Sequence, residues 1–238
     1  MSEETTTVEP TATEPVVKLT TEQVFEKMRT TRDLTGADLS GLDLAGAKFA
    51  GLKMAGANLS GVNIPGGLFA GADMPETNLA NADMVGAKLM GVNLLKAVLT
   101  KAKLTAAKFM GVNLEGSDLS GAEMTDSRLM GVNLTGSQLR EAKLLGAKLL
   151  GSNLKDADLT EADLTGSMLK RVDVSGADFT GANTTGARAS KVNWGAAKTP
   201  PAQLPEPLPE RPAWLPGVIA GVAVVLILVA LRKKKGKK

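Results

Sequence analysis

Histidine, cysteine and tyrosine do not occur in this 238-residue sequence, and two Trp and five Phe supply all of its aromatic rings. Without cysteine there is no disulfide framework and no thiolate chemistry, and the redox compartment cannot be read. Without histidine the usual general base near neutral pH and the commonest metal ligand are missing. So few rings mean that a core has to be built from Leu, Met and Ala in a regular frame. Neither a phosphate-cradling glycine loop nor a metal-ligand spacing occurs. An enzyme is therefore not expected, nor is a cofactor, a metal or a small-molecule substrate.

The formal net charge of +3 conceals a segregation. Between Thr31 and Lys198 there are 18 Lys and Arg against 17 Asp and Glu. Residues 1–18 carry Glu3, Glu4, Glu9 and Glu14 against Lys18 alone, whereas Arg232, Lys233, Lys234, Lys235, Lys237 and Lys238 crowd the last seven positions. The chain reads as an acidic tail, a neutral body and a basic tip over 232–238.

What the body contains is a repeat. In blocks of five from Thr31 the sequence runs TRDLT, GADLS, GLDLA, GAKFA, GLKMA, GANLS, and the frame continues without a slip. The fourth residue is apolar in 30 consecutive blocks, from Leu34 to Phe179. Two places earlier stands a small or modest residue, such as Ala37, Ala57, Val92 or Ser117, with a mostly polar residue between them. A period of five is neither the 3.6 of a helix nor a long alternation of two. It fits a triplet pointing inward, outward and inward, followed by two corner residues, and the frequent glycine at block starts fits the corner. A second period, Leu89 to Leu94 recurring at Phe109, Leu129 and Leu149, closes four blocks into one turn of 20 residues. About eight turns follow from residues 31–198, and at about 4.8 Å per turn the rod is roughly 40 Å long.

The blocks GADLS, GANLS, NADMV, DADLT, EADLT and GADFT resemble the pentapeptide-repeat family over residues 31–198. The resemblance implies an all-β fold, a right-handed quadrilateral β-helix. It implies no single activity, because function lives in sites grafted onto a fold. Some members of that family are acidic DNA mimics that bind type II topoisomerases. A topoisomerase-binding regulator is thus the alternative reading, and a near-neutral rod with one basic face speaks against it.

Both ends of a solenoid expose strand edges that need covering. Thr20 with Gln23 predicts a capping box, and Val24, Phe25 and Met28 one face of a short capping helix over 19–30. At the other end Trp194 is expected as a lid on the last turn rather than a ligand-stacking ring. Residues 199–213, with six prolines, predict an extended spacer, and residues 1–18 a disordered tail.

Trp214–Leu231 is an uncharged run of 18 residues, about 27 Å as a helix and long enough to cross a bilayer core. Trp214 stands where an interfacial ring anchors one end, and Arg232, Lys233, Lys234 and Lys235 flank the other. A single-pass C-terminal membrane anchor is expected. The basic cluster favours a cytoplasmic tail, whereas the absence of an export signal favours repeats that stay in the cytoplasm. The expectation adopted is a cytoplasm-facing rod.

Every twentieth residue falls on one face. One face collects Lys48, Leu68, Lys88, Lys108, Arg128, Lys148, Met168 and Arg188, and beside it run Met90, Met110, Met130 and Leu150. This face is the candidate docking surface for something anionic and partly apolar: an acidic partner protein, lipid headgroups or a second copy of the rod. Alternatively, solvated Lys stems simply cover the methionines. Nucleic acid is disfavoured, because no aromatic residues interleave with the cations. A neighbouring face holds Asn93, Asn113, Asn133, Asn153 and Asn193, which predict a structural amide ladder rather than a ligand site.

Overall fold

The computed structural model describes residues 18–209. They form a parallel β-solenoid in which outward residues 20 positions apart bridge one another along four ladders. On one face the pairing is complete enough to give three-residue strands: β1 (Leu68–Ala70), β2 (Lys88–Met90), β3 (Lys108–Met110), β4 (Arg128–Met130), β5 (Lys148–Leu150), β6 (Met168–Lys170) and β7 (Arg188–Ser190). They lie in chain order in one parallel sheet. The solenoid has about seven turns, against about eight expected from the repeat. At the N-terminal end Lys48 meets Leu68 through a single bridge, not a strand.

The five-residue frame dictates this geometry. Second and fourth positions face inward, and the fourth positions from Leu34 to Phe179 are all buried in one continuous core. Backbone groups are paired between turns: the Leu39 N–H donates to Asn58 O at 2.7 Å, and the Asn58 N–H to Ala37 O at 2.9 Å. At the corner, the Ala57 N–H donates to Met54 O at 3.0 Å. The next block then starts in the left-handed region, where glycine is the least strained residue, as at Gly91 with φ 58°. Elsewhere the same conformation is carried by Glu76, Lys101, Ala106 and other non-glycine residues, at some steric cost.

The N-terminal end is closed as the capping box predicts. Helix α1 spans Thr21–Thr30, its Thr20 side chain accepts from the Gln23 N–H, and the Gln23 side chain accepts from the Thr20 N–H. Val24 is buried and Met28 packs on the core, but Phe25 is 42% exposed. The expected grouping of Phe25 with those two is therefore corrected, since one residue further along a helix turns the side chain about 100° off that face.

At the other end Trp194 begins a 3-10 turn and meets the Phe179 ring edge-on at 5.5 Å, as a lid would. The chain does not leave the rod there. The Phe179 N–H donates to Thr199 O, the Glu206 N–H donates to Ala187 O, the Thr184 hydroxyl donates to Gln203 O, and Pro201 and Pro205 are buried. Residues 199–206, part of the expected extended spacer over 199–213, are extended and docked on the last turn. Proline suits that place because it brings no N–H to an edge. Among the described residues no helix is long and apolar enough to cross a membrane. The expected span Trp214–Leu231, the basic tail with Arg232 to Lys235, and the acidic tail apart from Lys18 lie outside the described residues.

Candidate interaction face

Lys48, Lys88, Lys108, Arg128, Lys148 and Arg188 all fall on one face and are all exposed. Along the sheet Lys88 pairs with Lys108, Lys108 with Arg128 and Arg128 with Lys148, each directly above the last at about 4.8 Å per turn. Leu68 and Met168 occupy the same line. At the following corner Met90, Met110 and Met130 are 38%, 46% and 43% exposed, and Leu150 is half-buried.

Every side chain that the 20-residue spacing assigns to this face is therefore on it. What the spacing missed is the corner on its other side, where Val85 is exposed and Leu145 half-buried. Both belong to the fifth position of the preceding block. Extending the same count one corner back would have found them.

The face differs electrostatically from its neighbours. Among the described residues none of its six cations makes an ion pair, whereas Lys103 pairs with Asp83 at 3.6 Å and Lys143 with Glu123 at 3.1 Å on one adjoining face. On the opposite face Arg140 pairs with Asp158 at 3.3 Å and Lys198 with Asp178 at 3.0 Å. The remaining face carries the amide ladder: Asn113 donates to Asn93 Oδ1 and Asn133 to Asn113 Oδ1, at 3.3 and 3.1 Å. Asn153 turns instead to the Thr135 hydroxyl, at 2.9 Å. These amides are occupied by one another and by their own turns, as a structural ladder requires.

Outward aspartates accept from residues two places on. The Thr180 hydroxyl, then the Lys198 ammonium and the Thr180 N–H, hold Asp178 far below the usual carboxylate range. Hydroxyl bonding from Thr35 and Ser175 lowers Asp33 and Asp173, and the Ser40 N–H does the same for Asp38. Among the described residues no cluster of acidic side chains is placed to hold a metal ion.

Models of pentapeptide repeats match residues 33–64 and 66–94, and that of the pentapeptide repeat region matches residues 102–179. The chain belongs to the pentapeptide-repeat family, whose members are typically non-catalytic. No curated protein matches it. Among solved structures it is similar to HetL, a pentapeptide repeat protein involved in heterocyst differentiation regulation in the cyanobacterium Nostoc sp. strain PCC 7120. The two are 22% identical over 76% of this chain and 98% of that one, with a TM-score of 0.46. It is also similar to Rfr23 of the cyanobacterium Cyanothece 51142, with 18% identity over 71% and 96% of the two chains and a TM-score of 0.34. A pentapeptide repeat protein of the Arabidopsis thaliana thylakoid lumen is 27% identical over 52% and 68%, with a TM-score of 0.23.

Proposed function

We propose that this chain is a membrane-tethered, non-catalytic binding rod. It presents the Lys48–Arg188 face, with the Met90–Leu150 corner, to an anionic and partly apolar partner. The observation that carries the reading is the stack of six exposed cations without an ion pair, while the lysines of the adjoining face are paired. Like charges stacked at that spacing repel, so the stack is relieved by an external anion rather than by the protein itself. The tether is the Trp214–Leu231 run with its basic flank, and the rod faces the cytoplasm.

Affinity capture tests the face. The triple reversal Lys88→Glu, Lys108→Glu and Arg128→Glu should abolish retention of an anionic partner with the circular dichroism of the rod unchanged. Retained capture removes this face from consideration. Resistance to alkaline carbonate extraction tests the tether, and protection of residues 18–209 from protease in sealed vesicles tests the orientation. The alternative, a topoisomerase-binding DNA mimic, requires an anionic face. No ladder of this rod is continuously acidic: Asn, Lys, Val or Gln interrupts the acidic residues of three, and the fourth carries none.

A further inference from the structure

We infer that the Lys48–Arg188 face lies flat on an anionic lipid surface, its cations against headgroup phosphates and the Met90–Leu150 corner, with Val85 across from it, in the interfacial layer. The inference rests on reading this face as the docking surface and Trp214–Leu231 as the span that keeps the rod beside a bilayer.

Apolar groups flank the cations at Met90, Met110, Met130 and Leu150 on one side and at Val85 and Leu145 on the other, where threonine stands at Thr105 and Thr125. Among the described residues seven large hydrophobic side chains are exposed, and four of them, Val85, Met90, Met110 and Met130, line these two corners. A cationic strip edged by shallow apolar groups matches the boundary of a bilayer, where charge and hydrocarbon lie a few ångströms apart in depth. From Lys48 to Arg188 the strip covers seven steps of the ladder, about 34 Å.

From Lys88 to Lys148 the strip repeats one cation and one Met or Leu at each of four turns, and Leu68 and Met168 interrupt the cations on either side. A protein partner is usually gripped by a central cluster of large anchors inside a polar rim. Over those four turns near-identical elements recur with none distinguished, which suits a partner that is itself uniform. The Met corner is followed by Gly71, Gly91, Gly111, Gly131 and Gly151, so nothing projects beyond the methionines there. The backbone does not demand that row, since Arg171 and Lys191 adopt the same conformation at the same corner, with φ 54° and 57°.

A second copy fits poorly. The face laid on itself opposes cation to cation, and on the opposite face Asp158 and Asp178 are already engaged by Arg140 and Lys198. Sequence places the membrane close at hand, because seven residues separate Glu206 from Trp214.

The absence of native cysteine makes a single introduced one a unique label site. Full-length chain carrying Met110→Cys, or Val98→Cys on the opposite face, is labelled with an environment-sensitive dye and reconstituted into phosphatidylcholine vesicles with and without phosphatidylserine. The Met110 label should shift to the blue only with phosphatidylserine, and high salt should reverse the shift, while the Val98 label stays unchanged. Adding Lys108→Ala should lower the docked-to-free ratio about fivefold, the contribution of one cation near an anionic surface. The triple reversal should abolish the shift. Equal responses from both labels, or a Met110 response indifferent to phosphatidylserine, overturns the inference. So does capture of an acidic protein by this face without any response to phosphatidylserine, a result that leaves the docking face itself standing. Carbonate extraction reads the tether separately. A chain that is extracted, yet whose Met110 label responds to added phosphatidylserine vesicles, supports the inference and removes the tether.

Discussion

The rings of Phe49 and Phe69 lie face to face, 4.7 Å between centroids and 6° from parallel, and Gly67 occupies the inward position beside the second ring. The equivalent positions of neighbouring turns carry Ala47 and Ala87. Glycine makes room there. A Cβ at Gly67 would meet Ile64 Cγ2 at 2.5 Å and Phe69 Cε2 at 3.1 Å. Gly67→Ala should therefore destabilise the rod by about 1–3 kcal/mol through overpacking. Ile64→Leu, which removes the branch carrying Cγ2, should restore part of the loss in chemical denaturation. Gly71→Ala is the contrasting case, with φ at +61° and nothing within 4 Å of the new Cβ. Its cost, about 1–2 kcal/mol, is backbone strain that Ile64→Leu leaves untouched.

Among the described residues five serines are buried, and four of them divide into two pairs. The Ser117 and Ser137 hydroxyls donate to Leu114 O and Leu134 O, both at 2.7 Å, whereas Ser127 Oγ and Ser167 Oγ are buried without a partner. An unpaired buried hydroxyl costs about 1–3 kcal/mol, while a made one contributes about 1 kcal/mol. Ser127→Ala and Ser167→Ala should thus raise the melting temperature, and Ser117→Ala and Ser137→Ala should lower it. Thermal denaturation followed by circular dichroism separates the signs.

The core was legible in the sequence because its signal is periodic. Leu89, Phe109 and Leu129 occupy the same place in successive turns, and one five-residue frame locates all three. The cationic face was legible for the same reason at a period of 20. Features that occur once were not. The bonds from the Glu206 N–H to Ala187 O and from the Thr184 hydroxyl to Gln203 O leave no recurring trace, so the proline-rich segment reads only as an extended spacer. Val85 and Leu145 stand three residues before Lys88 and Lys148, around the preceding corner, and do not recur as apolar residues at the turns between, where Thr105 and Thr125 stand.

Acid should loosen the turns that hold the ladders. Asp178 Oδ1 accepts from the Thr180 hydroxyl at 2.6 Å and the Thr180 N–H at 3.0 Å, and Oδ2 faces Lys198 at 3.0 Å. These contacts favour the carboxylate, so the folded pKa lies below the unfolded one. A depressed carboxylate contributes stability that is fully present above its unfolded pKa of about 3.9 and lost as pH falls through the folded value. The rod should therefore weaken below about pH 4, with Asp33, Asp38 and Asp173 acting in the same direction. Carboxyl NMR titration should show Thr180→Val raising the Asp178 pKa more than Lys198→Met does, because the hydroxyl bond is the larger cause.

The docked proline-rich segment should decide how firmly the last turn holds. Ala187 O accepts from Glu206, the Thr184 hydroxyl is satisfied by Gln203, and Pro201 and Pro205 are buried against that turn. Ending the chain at Lys198 would expose the edge of β7, unpair the hydroxyl of the buried Thr184 and leave Trp194 as the remaining cover. In a stacked solenoid each turn is supported by its neighbours, so such damage stays local instead of spreading through the core. Amide exchange should speed up at Arg188, Ala189 and Phe179 in the truncated chain while Leu89 and Phe109 remain protected. Trp194→Ala should act on the same amides by removing the edge-on contact with Phe179, at a cost of about 3 kcal/mol or less, since Trp194 is only partly buried. If the truncation instead left exchange at Arg188 and Ala189 unchanged, the segment would be resting on the rod without closing it, and the terminal turn would owe its stability to Trp194 alone.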